Sequence, residues 1–151
     1  MRVDVPACSA AALILALAAG CSQPASPPKG TVAPVDVAGP PPDAVVTATG
    51  LAFRVLVRGP GGRRPGPEAT IFVNYTGWTT DGTIIEGAPV GEPAASFQLN
   101  EMMPGWQEGV RRMSAGDKWR FWIPGPLAYG YEPGRPHGML VYDISLVRFI
   151  D

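Results

Sequence analysis

The sequence predicts an α+β domain in which one short helix covers one face of an antiparallel sheet of about five strands. Segments that alternate between apolar and polar residues recur through the last hundred or so residues, which hold every Trp, Tyr and Phe of the chain. Once, between two such segments, the apolar residues change to helical spacing. There is no βαβ alternation, internal repeat or phosphate-binding glycine motif, which argues against a parallel α/β sheet.

The strand predictions rest on this alternation. Residues 51–58 and 69–79 place apolar residues on one face, namely Leu51, Phe53, Val55 and Val57 in the first and Ile71, Val73 and Tyr75 in the second. Asp81-Gly82 is a strong hairpin-turn signal, after which residues 83–86 would return. Further strands are expected over 96–99, 118–123 and 140–149.

The helix is predicted to begin at Pro104, because proline is favoured at the first helical position. Trp106, Val110 and Met113 follow at helical spacing, and residues 114–117 are predicted to end the helix.

Composition and charge exclude several classes of function. The formal net charge is −1 and no basic block occurs, so a nucleic-acid-binding face is not expected. One His and two Cys are too few for a zinc site of the usual ligand count, and the acidic residues are scattered. We therefore expect neither a metal nor a cofactor.

The N-terminus is predicted to be a targeting segment. Residues 8–20 are apolar, rich in Ala and preceded by Arg2, which is the layout of a signal peptide over residues 1–20. The stretch Leu17-Ala18-Ala19-Gly20-Cys21 resembles a bacterial lipoprotein signal, in which Cys21 would carry the lipid. Ordinary cleavage after Ala16-Leu17-Ala18 is the alternative.

Residues 21–48 are rich in Pro, Ala and Ser and hold no aromatic residue, so we expect a disordered linker that follows the lipidated Cys21. The folded domain would then occupy residues 49–151. Together these segments predict an exported, membrane-anchored bacterial protein that faces the periplasm or lies at the cell surface.

Several short blocks follow one another in a specific order: Val73-Asn74-Tyr75-Thr76-Gly77, Asp81-Gly82-Thr83 with Glu86, Phe97-Gln98-Leu99-Asn100, Met102-Met103-Pro104-Gly105-Trp106-Gln107-Glu108-Gly109, Met113-Ser114-Ala115-Gly116-Asp117, Ile123-Pro124 with Leu127-Ala128-Tyr129-Gly130, and Leu140-Val141-Tyr142-Asp143-Ile144-Ser145-Leu146. In this order, over residues 50–151, they resemble the FKBP-type peptidyl-prolyl isomerases. The spacing of Glu86, Phe97 and Trp106 is most similar to the bacterial secreted, Mip-like subgroup.

The resemblance implies a half-wrapped antiparallel sheet around the helix, with a shallow apolar pocket between them that receives the substrate proline. It implies catalytic roles for Tyr75, Glu86, Trp106 and Tyr129, with Trp106 as the floor of the pocket. It implies substrate contacts from Ile85, Phe97, Met102, Met103 and Tyr142. Without the resemblance, most of these residues would suit an ordinary core equally well.

The resemblance also implies partners. Proline-containing polypeptides would be the substrates, and the membrane would be reached through Cys21. Macrolide inhibitors of the family share the same pocket, so their binding stays open. The sequence shows no long N-terminal helix of the type that some secreted relatives use for dimerisation, so a monomer is expected.

Three features depart from the family pattern. Ile85 stands where a Phe is usual, Glu86 replaces the usual Asp, and residues 131–139 form a shorter loop that would leave the pocket more open. We expect a pocket that binds proline and assists the folding of exported proteins, with reduced isomerase activity. Two alternatives remain: a membrane-tethered binding or chaperone module without useful catalysis, and a structural surface lipoprotein that binds no proline peptide.

Overall fold

The computed structural model describes residues 32–89 and 93–151, which form one antiparallel sheet with a single α-helix. The strands are β1 (Val45–Val46), β2 (Ala52–Val57), β3 (Thr70–Thr79), β4 (Ile84–Ala88), β5 (Ala95–Gln98), β6 (Lys118–Ile123) and β7 (Leu140–Ile150). The helix α1 spans Pro104–Val110, and 3-10 turns lie at Leu99–Glu101 and Gly125–Leu127.

The strands lie in the order β1-β2-β6-β7-β3-β4. The first half of β3 pairs with β5 and its second half pairs with β4, so that β4 and β5 share one edge of β3. The predicted α+β class is confirmed. The sheet has more strands than the five or so predicted, and β1 comes from a segment predicted to be disordered.

Local sequence signals identified most element boundaries. Gly82 adopts a φ of 87°, which favours glycine, and the Asp81 side chain accepts the Thr83 N–H, so the predicted hairpin turn is confirmed. The helix begins at Pro104 as predicted but ends at Val110. A turn of 3-10 type follows, in which Arg112 and Met113 donate their N–H groups to carbonyls three residues earlier.

Two glycines allow α1 to lie close to β6. A Cβ added at Gly105 would lie 2.4 Å from the Ile123 side chain, and one at Gly109 would lie 2.4 Å from the Phe121 ring. Protein interiors are close-packed, so a methyl group at either position would push the helix away from the sheet. These glycines therefore set the depth at which Trp106 sits in the core.

The segment before β2 is part of the folded domain, which corrects the predicted disordered linker from about residue 34 onward. The indole Nε1 of Trp122 donates a 2.9 Å hydrogen bond to the Asp36 carbonyl. Val37 and Ala44 pack against a second, smaller core that contains Trp122 and Val141. The sequence analysis missed this packing, because composition does not reveal that Trp122 needs a cover on the outer face of the sheet.

An electrostatic requirement adds to this packing. Arg54 and Arg120 lie directly opposite each other on β2 and β6, and like charges in such pairs are unfavourable. The Asp36 carboxylate lies between them, 2.7 Å from Arg120 and 3.6 Å from Arg54. Arg120 also forms a bidentate pair with Asp143, the residue opposite it on β7. The N-terminal segment thus supplies a counter-charge that the sheet lacks.

The predicted signal peptide, the lipidation site at Cys21 and the first part of the predicted linker lie outside the described residues. They stay predictions.

Replacing Asp36 should destabilise the domain more than replacing its neighbour Asp43. Asp36→Ala removes a carboxylate that is 13 % exposed and shared by two arginines, and we expect a loss of about 1–3 kcal/mol in the free energy of unfolding. Asp43→Ala, whose side chain is 61 % exposed, should cost about 0.2–1 kcal/mol. Urea denaturation measures both, and equal losses would contradict the assignment of Asp36 to the fold.

Gly109→Ala should destabilise the protein by about 1–3 kcal/mol through overpacking against Phe121. Helix propensity alone predicts the opposite sign, because Ala is favoured over Gly by about 1 kcal/mol in a helix. Gly39→Ala is the control, since a Cβ there meets no atom within 4 Å. A variant of Gly109 that unfolds at higher urea concentration than the wild type would show that the helix does not need this close contact.

Candidate functional site

An aromatic cluster lies where α1 meets the sheet. The Trp106 ring receives three edge-to-face contacts, from Tyr75 on β3 at 5.2 Å, Tyr142 on β7 at 5.4 Å and Phe97 on β5 at 6.0 Å between ring centroids. Edge-to-face pairs at these separations contribute about 0.5–1.5 kcal/mol each beyond the area that they bury. The cluster therefore holds the rings from three strands in fixed orientations around the helix.

Glu86 on β4 connects this cluster to a second set of polar groups. Its Oε1 atom accepts hydrogen bonds from two tyrosine hydroxyls, Tyr142 at 2.7 Å and Tyr129 at 3.1 Å. Tyr129 follows the second 3-10 turn, so the carboxylate joins β4, β7 and the loop that precedes β7. An O–H···O bond of 2.7 Å has the usual length, and the 3.1 Å bond is weaker.

A row of residues across three strands explains how Tyr142 reaches Glu86. Gly77 on β3 pairs with Tyr142 on one side and with Glu86 on the other. A Cβ added at Gly77 would lie 2.4 Å from the Tyr142 ring. The ring can lie across β3 and bring its hydroxyl to the carboxylate because residue 77 has no side chain.

The tyrosine hydroxyls keep their protons at neutral pH. Burial raises the pKa of Tyr75, and the charge of Glu86 adds to this effect. Burial also raises the pKa values of Tyr129 and Tyr142, again with a contribution from Glu86. All three groups are thus hydrogen-bond donors, and the site offers O–H groups beside an aromatic wall.

A cavity of about 200 Å³ opens beside the cluster. Six of the residues predicted for the site line it: Tyr75, Glu86, Phe97, Met102, Met103 and Tyr129. Trp106 and Tyr142 are almost fully buried and lie behind these lining residues, while Ile85 packs on the edge of the core. Trp106 supports the pocket from beneath, and its Nε1 atom finds no hydrogen-bond partner among the described residues.

The structure adds three residues that the sequence analysis did not assign to the site. Glu101 and Arg135 line the same cavity. The Gln107 side chain donates a 2.6 Å hydrogen bond to the Met102 carbonyl and thereby fixes the backbone before α1. Glu101 and Gln107 lie in or beside the Met102–Gly109 block and could have been proposed from that position. Nothing local in the sequence marks Arg135, which comes from the short loop over residues 131–139.

A larger groove of about 430 Å³ is lined by Gly125, Pro126, Gly130, Tyr131 and Gly138. It lacks the hydroxyl and carboxylate groups of the aromatic pocket, apart from the exposed Tyr131, so we place the candidate site in the smaller cavity.

Over residues 32–89 and 93–151, no group of three or more His, Cys, Asp or Glu side chains is arranged to hold a metal ion. No helix in that part of the chain is long and apolar enough to cross a membrane.

Comparisons with known proteins agree with this geometry. Residues 61–147 match the family model described as FKBP-type peptidyl-prolyl cis-trans isomerase. The macrophage infectivity potentiator of Trypanosoma cruzi is 37% identical over 114 residues, which are 73% of this chain and 58% of that protein. Outer membrane protein MIP of Legionella longbeachae is 34% identical over 110 residues, which are 70% of this chain and 47% of that protein. The chain therefore spans about half the length of these curated relatives.

The fold is shared as well. The crystal structure of a peptidyl-prolyl cis-trans isomerase from Pseudomonas syringae pv. tomato superimposes with a TM-score of 0.66 at 30% identity, over 74% of this chain and 84% of that one. The predicted half-wrapped sheet around a short helix is thereby confirmed. The family model covers more than half of the chain, and the chain thus belongs to the FKBP-type peptidyl-prolyl cis-trans isomerase family, with relatives among its Mip-like members.

Proposed function

We propose that this chain catalyses the cis-trans isomerisation of X–Pro peptide bonds in the pocket between α1 and the sheet. The observation that carries the proposal is the cavity beside Trp106, in which an aromatic wall of Tyr75 and Phe97 adjoins the Tyr129 hydroxyl held by Glu86. Membership of the isomerase family supports it.

The reaction requires rotation about one amide bond and forms no covalent intermediate. Amide resonance sets an uncatalysed barrier of about 18–20 kcal/mol. Catalysis follows if the pocket binds the twisted amide more tightly than either planar form. A pocket walled by Tyr75 and Phe97 accommodates the apolar proline ring and removes water from the amide. Twisting breaks resonance, and a drier environment favours the less polar twisted amide.

Tyr129 is the proposed donor to the carbonyl of the rotating amide. Tyr129 lines the cavity, and its hydroxyl makes the longer of the two bonds to Glu86, so exchanging this bond for one to a substrate costs little. Tyr142 would keep its 2.7 Å bond to Glu86 during this exchange, and the carboxylate would retain a partner. Tyr142 is therefore a positioning residue in this proposal.

The backbone at Met102 and Met103 forms another part of the proposed site. Gln107 ties the Met102 carbonyl to α1, and the Met103 carbonyl accepts the Trp106 N–H. These bonds hold the segment rigidly beside the cavity, where a bound peptide would contact it. Preorganisation of this kind reduces the entropy that the site loses on binding.

We further propose that the protein is exported and assists the folding of exported polypeptides. Isomerisation of X–Pro bonds is slow enough to limit folding. The signal-like N-terminus and the lipoprotein-like sequence before Cys21 support export and anchoring. Because the segment from about residue 34 packs on the sheet, the linker between Cys21 and the folded domain would be shorter than composition alone predicts.

A binding module with little catalysis is the second candidate. It is favoured by Ile85, which packs at the edge of the core where the family usually has an aromatic residue that lines the pocket. Such a module would bind proline peptides and leave their isomerisation rate unchanged.

Tyr129→Phe should lower kcat/KM for a Leu-Pro peptide by about tenfold, the loss expected for one hydrogen bond of about 1.4 kcal/mol in the transition state. Isomerisation by the full chain is measured by NMR exchange. Tyr131→Phe is the matched control, because Tyr131 is 95% exposed and lies outside the pocket, and it should leave the rate unchanged. A Tyr129→Phe variant with the wild-type rate would remove Tyr129 from the mechanism.

Trp106→Leu should abolish proline-peptide binding in a protein that still folds, because three aromatic rings lose their common support. Circular dichroism checks the fold and peptide titration measures binding. Unaltered affinity of the Trp106→Leu variant would contradict the placement of the pocket. If the unaltered protein binds the peptide but does not accelerate its isomerisation, the binding module is favoured.

Cys21→Ser should release the protein from the membrane fraction into the soluble fraction if Cys21 carries a lipid. Cell fractionation followed by immunoblotting measures the distribution, and Cys8→Ser is the control within the predicted signal peptide. Retention of the Cys21→Ser protein in the membrane would count against the anchor.

A further inference from the structure

Arg135 brings a positive charge to the edge of the aromatic pocket. Its guanidinium carbon lies 4.7 Å from the centroid of the Tyr129 ring, and the side chain lines the same cavity as Glu86. A cation over an aromatic face is attracted by the ring quadrupole. The ring therefore orients the Arg135 side chain, which is itself exposed, beside the proposed catalytic residue.

Arg135 forms no ion pair in the described parts of the chain, although Glu86 and Glu101 line the same cavity. Arg54, Arg63, Arg112 and Arg120 form ion pairs with carboxylates, whereas no carboxylate lies within ion-pair distance of Arg135 in the described parts of the chain. The nearby Glu86 is instead bonded to the hydroxyls of Tyr129 and Tyr142. The guanidinium thus keeps its N–H donors for a group that enters the pocket.

We propose that Arg135 makes the pocket prefer peptides that carry an acidic side chain beside the Pro-containing amide, an inference that rests on the proposed function. A guanidinium presents paired N–H groups that match the two oxygens of a carboxylate. A peptide whose proline ring enters the cavity and whose carbonyl reaches Tyr129 brings its neighbouring side chains close to Arg135. Peptides with Asp or Glu at such a position form the favoured substrate class.

Glu101 also lines this cavity, beside Met102, and carries the opposite charge. It is exposed, and no side-chain contact orients it among the described residues. Arg135, by contrast, is held against the ring of the proposed catalytic residue. The charge held beside Tyr129 is therefore expected to decide the preference, and tighter binding of the Gln peptide than of the Glu peptide would show that Glu101 decides it.

The test compares peptides that are identical except for Glu or Gln at one position, placed two residues before proline, directly before it or directly after it. NMR titration of the full chain gives Kd for each pair, and NMR exchange gives the isomerisation rate. At one position at least, the Glu peptide should bind about two- to fivefold more tightly than the Gln peptide, the range for partly exposed ion pairs. Added salt should reduce this ratio by screening.

Charge variants separate recognition from a structural role. Arg135→Gln should bring the ratio to one or below, because Glu86 and Glu101 still line the cavity, Arg135→Lys should retain part of it, and Arg135→Glu should reverse it in favour of the Gln peptide. Arg111→Gln removes the same charge from an exposed position at the end of α1, outside this pocket, and should leave the ratio unchanged. A structural role of Arg135 would alter both peptides alike and would not reverse the preference.

The outcomes distinguish this inference from the proposed function. Catalysis of Leu-Pro peptides without a Glu preference at any position, or with a preference that persists in Arg135→Gln, overturns the role of Arg135 and leaves the isomerase. A Glu preference in Kd that depends on Arg135, without rate enhancement, supports the role of Arg135 and overturns the isomerase in favour of the binding module. Absence of binding by every peptide overturns both.

Discussion

The close approach of α1 to the concave face of the sheet is the contact on which the pocket depends. Gly105 and Gly109 face Ile123 and Phe121 at distances that leave no room for a methyl group, and this depth places Trp106 among the aromatic rings of β3, β5 and β7. A helix further from the sheet would leave those rings without a common partner, because dispersion contacts fall off steeply with distance. The apolar wall of the site is therefore a consequence of how the core packs.

The polar side of the site also depends on a glycine, at position 77. Gly77 lies between Tyr142 and Glu86 in neighbouring strands, so the Tyr142 ring crosses β3 and donates to the carboxylate. This bond gives a half-buried carboxylate a partner inside the protein, which offsets part of the cost of removing its charge from water. Glu86 can then hold Tyr129 loosely, and a loosely held hydroxyl is the kind that a substrate carbonyl can recruit.

The outer face of the sheet imposes a separate constraint. Arg54 and Arg120 lie opposite each other on adjacent strands, and Asp36 reaches both from the segment that precedes β1. Burial acts to lower the pKa of Arg120, but its bonds to Asp143 and its attraction to Asp36 outweigh burial and raise that pKa. The guanidinium stays charged, so its counter-charge is a requirement of the fold. The N-terminal segment therefore stabilises the face opposite the pocket.

Alternation, helical spacing and turn residues lie in short stretches of chain, so the sequence predicts most of the strands and the start of the helix, though not β1. The residues expected to line the pocket come from the family resemblance of the ordered motifs. Tyr75, Glu86 and Tyr129 are assigned to one site on the motifs alone. Three other features follow from the folded chain: Asp36 belongs to the domain, Tyr142 lies behind the residues that line the cavity, and Arg135 lies over Tyr129. Each of them joins residues that are distant in the chain or packs one side chain behind another, and neither periodicity nor composition carries information about such contacts.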